Sequence, residues 1–298
     1  MRTILISAYA CEPLKGSEQG VGWNWVLQLA KHNYLHVITR ANNQEVIEAH
    51  LPSDIGKNIT FHYYDTNSFI KGFKNKAKGL YFYYFFWQLG ICSIVEKLIK
   101  KNMFDYSMHI TMGSIWMPTF LPFFKIPFIW GPIGGGEGIP KSFLSSLPFR
   151  HYFIQSLRYI LKFLIYLNPL IIYTIYKSSS IIVRTKNTLN FIPKVFRYKT
   201  KVFLETSIED SIFDYKLIKT SKSKSTRLII TGRLVPFKNV ITAIRSLQFI
   251  PSSYIFDLTI IGSGSEKSKI EKEVKSLQLS EKVHFIEETT REKVLEEI

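Results

Sequence analysis

Two basic residues late in the chain, Arg233 and Lys238, have the types and spacing for binding a diphosphate. They lie in residues 228–239, which read LIITGRLVPFKN, so a strand is expected to end at Gly232 and a helix to begin after the lysine. Arginine can bind a diphosphate through two parallel hydrogen bonds, and lysine can bind it as a point charge. The pattern therefore predicts an anion site between a strand and a helix.

A second glycine-rich turn repeats this pattern in residues 260–265, which read IIGSGS. Gly262 and Gly264 follow an apolar segment and precede a helical pattern, as Gly232 does. Two such turns in one small α/β unit favour a nucleotide ligand. The chain contains no GKS or GKT phosphate loop, which disfavours phosphoryl transfer of the P-loop kind.

A third glycine-rich segment, residues 10–25, reads ACEPLKGSEQGVGWNW. It follows a predicted strand and opens a predicted helix, where backbone amides can meet a phosphate or a sugar. The spacing of Gly16, Gly20 and Gly22 differs from G-x-G-x-x-G, so a dinucleotide site is disfavoured. A glycine-rich turn without a ligand is the alternative for this loop taken alone.

Glu137 and His109 are the other candidate site residues of the first half. Residues 128–138 read FIWGPIGGGEG and place Glu137 among five glycines after a predicted strand, which suits the floor of a substrate cleft. A loop that only needs positive φ angles is the alternative. His109 lies at the end of another predicted strand, where it becomes a site residue only if that end faces the ligand crevice.

Short apolar segments alternate with helical patterns along the chain, which predicts an α/β fold with parallel sheets. The predicted helix over residues 21–32 has Val21, Trp25, Leu29 and Ala30 on one stripe. The other predicted helices are residues 240–249, 266–277 and 292–298. The predicted strands are residues 3–8, 35–39, 59–64, 106–110, 128–130, 180–183, 202–204, 228–231, 256–261 and 283–286.

A polar, basic and serine-rich segment, residues 215–227, has the composition of a linker. We therefore predict an N-terminal α/β domain at residues 1–210, a linker at 211–226 and a second α/β domain at 227–298. A length of 298 residues agrees with two domains of about 150 residues. The second domain has only three predicted strands, so it is expected to be incomplete.

The composition excludes several classes of protein. The 46% of hydrophobic residues disfavours extended disorder, and two cysteines without a C-x-x-C pair exclude a disulfide framework and a structural zinc site of that kind. The formal net charge of +16 suits nucleic acid, an anionic membrane or an anionic substrate. No helix-turn-helix or RNP-like pattern occurs, so nucleic acid is disfavoured. The first apolar run is too short for a signal peptide, which predicts a cytoplasmic protein.

Two basic clusters stand directly before aromatic or aliphatic helices. Lys71, Lys74, Lys76 and Lys78 precede residues 80–87, and this pattern is typical of an interfacial membrane contact. Arg150, Arg158 and Lys162 lead into the second stretch, residues 163–176. Neither stretch has the roughly 20 uninterrupted apolar residues that a membrane span needs. Buried core helices are the alternative for both.

Taken together, these segments resemble the retaining glycosyltransferases of family 4, which have the GT-B architecture of two Rossmann-like domains facing a cleft. The resemblance extends over the chain and is specific because five motifs occur in the same order. They are residues 10–25, 130–137, 204–210, 232–238 and 261–264. Asn239 stands where the family often has glycine.

The resemblance implies a role for each candidate residue. Arg233 and Lys238 would bind the diphosphate of a nucleotide-sugar donor and stabilise the leaving nucleotide, and His109 would reach the transferred sugar. No metal or other cofactor is expected, because protein cations neutralise the diphosphate. The donor-binding glycines would be Gly16, Gly232, Gly262 and Gly264, and the acceptor side would comprise Glu12, Gly20, Gly22, Gly135 and Glu137.

We therefore expect sugar transfer from a nucleoside diphosphate sugar to a glycan or lipid-linked glycan acceptor with retention, by a protein peripheral to the inner face of the cell membrane. The family carries an E-x7-E element in the second half of the donor domain, and residue 298 comes before that part, so the chain is expected to be a fragment or an inactive truncated product. The alternative is a non-catalytic glycan or nucleotide-sugar binding protein. An epimerase is disfavoured, because the nearest Tyr-x-x-x-Lys pair, Tyr173 and Lys177, lies in an apolar helix.

Overall fold

The computed structural model describes residues 1–73, 79–138, 140–144, 149–206, 225–287 and 289–297. The chain divides into two compact units, Met1–Ile208 and Glu209–Ile298. Each unit is an α/β structure built on a parallel sheet, as the alternation of apolar segments predicts. Both cysteines are free.

The first unit contains a seven-stranded parallel sheet. Its strands are β1 (Arg2–Ser7), β2 (Asn33–Arg40), β3 (Ile59–Tyr64), β4 (Tyr106–His109), β5 (Phe128–Ile133), β6 (Ser178–Val183) and β7 (Thr200–Val202). They lie in the order β3-β2-β1-β4-β5-β6-β7. The order reverses between β1 and β4, and open α/β sheets bind ligands at the carboxyl ends of the strands beside such a reversal.

Helices cover both faces of this sheet. They are α1 (Ser17–Ala30), α2 (Gln44–His50), α3 (Ser53–Gly56), α4 (Ser68–Phe73), α5 (Gly79–Lys101), α6 (Lys141–Leu144), α7 (Phe149–Leu161), α8 (Pro169–Lys177) and α9 (Lys186–Leu189). On one face, Trp87 of α5 packs in a core with Leu5 of β1 and Phe128 of β5. On the other face, Trp23 of α1 packs in a second core with Ile6 of β1. Two apolar cores thus hold the central strands rigidly.

The second unit contains a three-stranded parallel sheet in the order β10-β9-β8. Its elements are β8 (Ser225–Thr231), α10 (Val240–Ser246), β9 (Ile255–Ile261), α11 (Lys267–Ser276), β10 (Val283–Ile286) and α12 (Arg291–Glu297). Leu258 and Ile260 of β9 form the core with Ile244 of α10 and Ile270 of α11. This core positions the turns that follow β8 and β9.

The predicted strands agree with the structure except near some ends and at 202–204, where β7 covers Thr200–Val202 and shares only Val202 with the prediction. Ser225 and Thr226, which we assign to the linker from the sequence, belong to β8, and residues 211–224 of that linker lie outside the described residues. Helix α1 begins at Ser17, four residues before the predicted start, and its fully buried residues are Gly22, Trp23, Val26 and Ala30. Of the predicted stripe, Ala30 lies in the core, Trp25 and Leu29 are partly buried and pack against it, and Val21 is partly exposed. No helix in the described part of the chain combines the length and the apolar character needed to cross a bilayer.

Candidate functional site

The two glycine-rich turns of the second unit interlock at the carboxyl ends of β8 and β9. The amide of Gly232 donates to the carbonyl of Ile261 at 2.9 Å, and the amide of Leu234 donates to the carbonyl of Ser263 at 2.8 Å. Gly262 has a φ of +145°, and a Cβ there would lie 2.1 Å from the carbonyl oxygen of Gly232. Only glycine fits this position, because the backbone of Gly232 occupies the place of a side chain, whereas a Cβ at Gly232 would meet nothing within 4 Å.

Arg233 and Lys238 lie beside these turns with exposed side chains. Neither forms an ion pair with a carboxylate of the described residues. Asn239, which follows the lysine and precedes α10, has a left-handed backbone with a φ of +52°. Asparagine adopts this conformation more readily than most residues other than glycine. The two cations are therefore available to an anion.

Gly264 and Gly16 are the other two glycines predicted to bind the donor. Gly264 belongs to the turn after β9, where its carbonyl accepts from the amide of Lys267 at 3.2 Å. Gly16 lies in the first unit and is the N-cap of α1, with nothing within 4 Å of the place where a Cβ would stand. Their roles toward a donor stay predictions.

In the first unit, the loop after β1 packs against both α1 and the loop after β4. The amide of Ala10 donates to Oγ1 of Thr111 at 3.0 Å in a buried position. A Cβ on Gly22 would lie 2.0 Å from the carbonyl oxygen of Ala10, and one on Gly20 would lie 2.1 Å from that of Lys15. Close backbone packing therefore explains both glycines without a ligand, and their acceptor-side role stays a prediction.

Glu12 and Glu137, the two predicted acceptor-side acids, differ in their surroundings. Glu12 is half-buried, and its carboxylate lies 3.9 Å from Nζ of Lys15. The carboxylate of Glu137 accepts from the amide of Gly135 at 2.6 Å and from the hydroxyls of Thr185 at 2.9 Å and Thr188 at 2.7 Å. Burial would raise the pKa of Glu137, but these hydrogen bonds outweigh burial and lower it. Glu137 is thus an ionised brace between the loop after β5 and α9.

His109 is buried beneath α5, with 1% of its surface exposed. The hydroxyl of Tyr84 donates to the carbonyl of Pro118 at 3.0 Å, so Nε2 of His109, 3.3 Å from that hydroxyl, is placed to donate to it. Burial lowers the pKa of His109 to about 4, so the ring is neutral at physiological pH. Its contact with the transferred sugar stays a prediction.

The sequence analysis missed a charged cluster at the carboxyl edge of the same sheet. Oε1 of Glu18 accepts from the amide of Gly113 at 3.1 Å and lies 3.8 Å from Nη2 of Arg184. Nε of Arg184 lies 2.5 Å from Oε2 of Glu205, an ion-pair contact whose angle is not that of a hydrogen bond. Glu18 and Glu205 lie in two of the segments that carry the resemblance, residues 10–25 and 204–210, but their contacts with Arg184 join three distant parts of the chain and follow from no single segment.

Glu205 is the unusual member of this cluster. Burial raises the pKa of Glu205 to about 6, and the nearby carboxylates of Glu18 and Glu137 add to the rise against the opposing effect of Arg184. The folded protein thus holds this proton more tightly than the unfolded chain, whose glutamate pKa is near 4.5.

We expect the first unit to lose stability through Glu205 as the pH rises from about 4.5 to about 6, by about 1–2 kcal/mol. Glu205→Gln removes this titration. The free energy of unfolding of the variant minus that of the wild type should therefore increase by the same amount between pH 4.5 and pH 7. All five tryptophans lie between residues 23 and 130, so urea unfolding followed by tryptophan fluorescence measures the first unit alone. Glu45→Gln, at an exposed position of α2, is the control. An equal effect of both variants at every pH would contradict the prediction.

The structure therefore gathers the predicted residues into two sets. Glu12, His109, Glu137 and their neighbouring glycines lie at the carboxyl edge of the first sheet, and Arg233, Lys238 and their glycines lie at the carboxyl edge of the second. Among the described residues, no group of three or more histidine, cysteine or acidic side chains could hold a metal ion. The first set offers hydrogen-bonding groups and the second offers cations.

Comparison with known proteins gives one family and a set of similar structures. Residues 213–298 match the family described as glycosyl transferases group 1. No curated protein is significantly similar to the chain in sequence. The similar structures include HepE of Anabaena in complex with UDP and glucose, with 12% identity and a TM-score of 0.51 over 97% of this chain and 70% of that chain.

Two further structures have comparable similarity. The lipopolysaccharide outer core galactosyltransferase WaaB, in its apo form, has 11% identity and a TM-score of 0.54 over 98% of this chain and 70% of that chain. A mutant of S. aureus TarM in complex with fondaparinux, α-GlcNAc-glycerol and UDP has 13% identity and a TM-score of 0.51 over 100% of this chain and 80% of that chain. These likenesses confirm the predicted fold class, α/β with Rossmann-like GT-B units.

Proposed function

We propose that this protein is a glycosyltransferase that moves a sugar from a nucleoside diphosphate sugar to a glycan or lipid-linked glycan acceptor with retention. One observation carries the proposal: the segment that matches the glycosyl transferases group 1 family contains two interlocked glycine turns and, beside them, two cations that pair with no carboxylate of the described residues. The retaining stereochemistry rests on the resemblance to family 4. The name of WaaB supports a surface glycan as the acceptor class.

In this sugar transfer the protein must stabilise the departing diphosphate. The bond between the anomeric carbon and the diphosphate oxygen breaks, and its electron pair leaves with the nucleotide. The acceptor oxygen then bonds to the anomeric carbon and gives up its proton to the released diphosphate. Arg233 and Lys238 would neutralise the negative charge that develops on the leaving group, and preorganised charges of this kind are a large part of catalysis. The bare backbone at Gly232, where nothing lies within 4 Å of the place of a Cβ, would let the diphosphate approach closely.

The identity of the bound nucleotide can be tested first with UDP. HepE and TarM are both seen with UDP, which supports UDP as the probe. Calorimetric titration of the full chain with UDP, GDP and ADP should give binding of at least one of them. Absence of binding by all three would contradict the proposal.

Turnover separates the enzyme from a binding protein. We expect the chain to release UDP from UDP-glucose or another UDP-sugar, measured with a coupled nucleotide assay with and without a glycan acceptor. Tight binding of a UDP-sugar without any release would favour the alternative of a non-catalytic nucleotide-sugar binding protein.

We further propose that the first unit contacts an anionic membrane through an exposed aromatic surface. We define this surface by Phe69, Tyr81, Phe82, Phe85 and Phe123, all of which are exposed. Ring contacts of 4.6–6.0 Å connect α4, α5 and α8 across it. They run in the order Phe69, Phe73, Phe82, Phe86, Phe85, Phe120, Phe123 and Tyr173.

Basic residues border part of this aromatic surface. Nζ of Lys177 lies 5.7 Å from the ring centre of Tyr173, at the end of the series of rings. Exposed aromatic rings with nearby cations suit the headgroup region of an anionic bilayer. Of the basic residues predicted to take part, Lys74, Lys76 and Lys78, and the side chains of Arg158 and Lys162, lie outside the described part of the chain.

Replacing Phe82 and Phe85 together by serine should weaken vesicle binding about tenfold, because each ring loses part of its apolar burial in the bilayer. Co-sedimentation with phosphatidylglycerol vesicles measures this, and phosphatidylcholine vesicles should bind the wild type poorly. The matched control is Phe249→Ser, at an exposed phenylalanine of the second unit. Binding that ignores lipid charge and salt, or that falls equally in the control, would contradict the membrane proposal.

A further inference from the structure

Arg40 is a buried cation at the carboxyl end of β2, which neighbours β1, one of the two strands between which the order reverses. Only 8% of its surface is exposed. Its Nε donates to the carbonyl of Tyr9 at 3.0 Å, and its guanidinium carbon lies 4.7 Å from the centre of the Tyr9 ring. The backbone and the ring thus hold the guanidinium in one place.

This charge has no counter-charge in the described part of the chain, where no carboxylate lies within 4 Å of it. The acid that acts on the same tyrosines, Asp65, accepts from the hydroxyl of Tyr83 and pairs with Nζ of Lys71 at 3.0 Å. No nitrogen of Arg40 is both fully buried and without a partner, so its terminal amino groups keep some contact with solvent where the Tyr9 hydroxyl does not cover them. A buried cation without a counter-ion is costly, which makes an external anion a favourable partner.

The free part of Arg40 is the part that recognises phosphate. With Nε engaged, the two terminal amino groups still form a planar fork, which matches two oxygens of a phosphoryl group. Arg40 and Lys71 together outnumber the one carboxylate, Asp65, so the local charge is positive. Ligands of open α/β sheets bind at this edge of the sheet.

We propose that Arg40 binds a phosphoryl or diphosphoryl group of the acceptor substrate. This assignment rests on the proposed glycosyltransferase function only in calling the ligand the acceptor, since the anion site itself is independent of the second unit. The chemistry is shared by a lipid-linked diphosphate and by a soluble sugar phosphate.

The test is titration of the full chain with inorganic pyrophosphate by calorimetry. The wild type should bind pyrophosphate at two sites, one in each unit. Arg40→Gln should weaken one site at least tenfold, and Arg233→Gln should weaken the other. Arg2→Gln is the matched control, because Arg2 also lies near a tyrosine ring, at 5.2 Å from Tyr106, but at the opposite end of the sheet.

The outcomes separate this proposal from the proposed function. Loss of pyrophosphate binding in Arg233→Gln alone would overturn the Arg40 site and leave the donor site standing. Loss in Arg40→Gln alone would support the Arg40 site and contradict the donor site. Equal binding by the wild type and both variants would overturn both. Weakening by Arg2→Gln equal to that by Arg40→Gln would also overturn the Arg40 site.

A measurement on the wild type guards against a folding defect in the variant. Pyrophosphate should slow the modification of Arg40 by phenylglyoxal at least threefold, measured by peptide mass spectrometry, and leave Arg2 unaffected. An unchanged rate at Arg40 would overturn the site. Geranyl diphosphate in place of pyrophosphate distinguishes the sources: tighter binding supports a lipid-linked acceptor, and equal binding supports a soluble phosphate.

Discussion

Arg233→Ala should weaken the binding of UDP by about 1.5–3 kcal/mol, which is the contribution of a hydrogen bond to a charged group. The side chain is exposed and has no carboxylate partner among the residues described, so no competing ion pair is lost with it. The variant should fold normally for the same reason. Lys238→Ala should act in the same direction, since its ammonium group lies beside the same turn.

The control for Arg233 is Arg227→Ala. Arg227 is also exposed and lies on the same strand, β8, but away from its carboxyl end. We expect UDP affinity to be unchanged in this variant, because Arg227 lies away from the turns. A loss of affinity equal to that of Arg233→Ala would instead indicate a general effect of losing positive charge. Calorimetry on the wild type and the three variants is the measurement. Unchanged affinity in both Arg233→Ala and Lys238→Ala would remove these residues from the donor site.

Local sequence was sufficient for the elements whose signals are local. Strands β3 and β10 have the predicted bounds, because a polar or charged residue stands directly on each side of both. The start of α1 was missed because Gly16 caps it without a side-chain hydrogen bond and glycines occupy its first turns. The spacing of Arg233 and Lys238 could be interpreted directly, since the end of a strand and the following turn lie within residues 228–239 and a helix begins directly after them.

Contacts between distant segments were beyond local patterns. From the sequence, His109 could be placed at the end of a strand, but the face of the sheet on which its side chain lies could not be predicted. Its register beside Ser7 and Trp130 turns it under α5. The ion pair of Arg184 and Glu205 and the cation at Arg40 likewise depend on which strands become neighbours in the sheet. The sheet order, unlike the strands themselves, is set by packing of the whole unit.

Gly22→Ala should destabilise the first unit by about 3 kcal/mol, at the upper end of the cost of overpacking. The new Cβ would lie 2.0 Å from the carbonyl oxygen of Ala10 and 2.7 Å from Cγ2 of Thr111. The loop cannot simply move away, because Thr111 also holds the amide of Ala10. Helix propensity acts in the opposite direction, since alanine is favoured over glycine by about 1 kcal/mol in a helix. Destabilisation would therefore show that packing against the loop decides the outcome.

The matched control for Gly22 is Gly16→Ala, in the same loop. Nothing lies within 4 Å of a Cβ at Gly16, and its φ of −83° suits any residue. Only its N-cap preference is lost, so the free energy of unfolding should fall by about 0.5 kcal/mol. Urea unfolding followed by tryptophan fluorescence again measures the first unit alone. If Gly22→Ala proved as stable as the wild type, α1 could not pack on the Ala10 loop as described, and the geometry of the loop after β1 would have to be rejected with it.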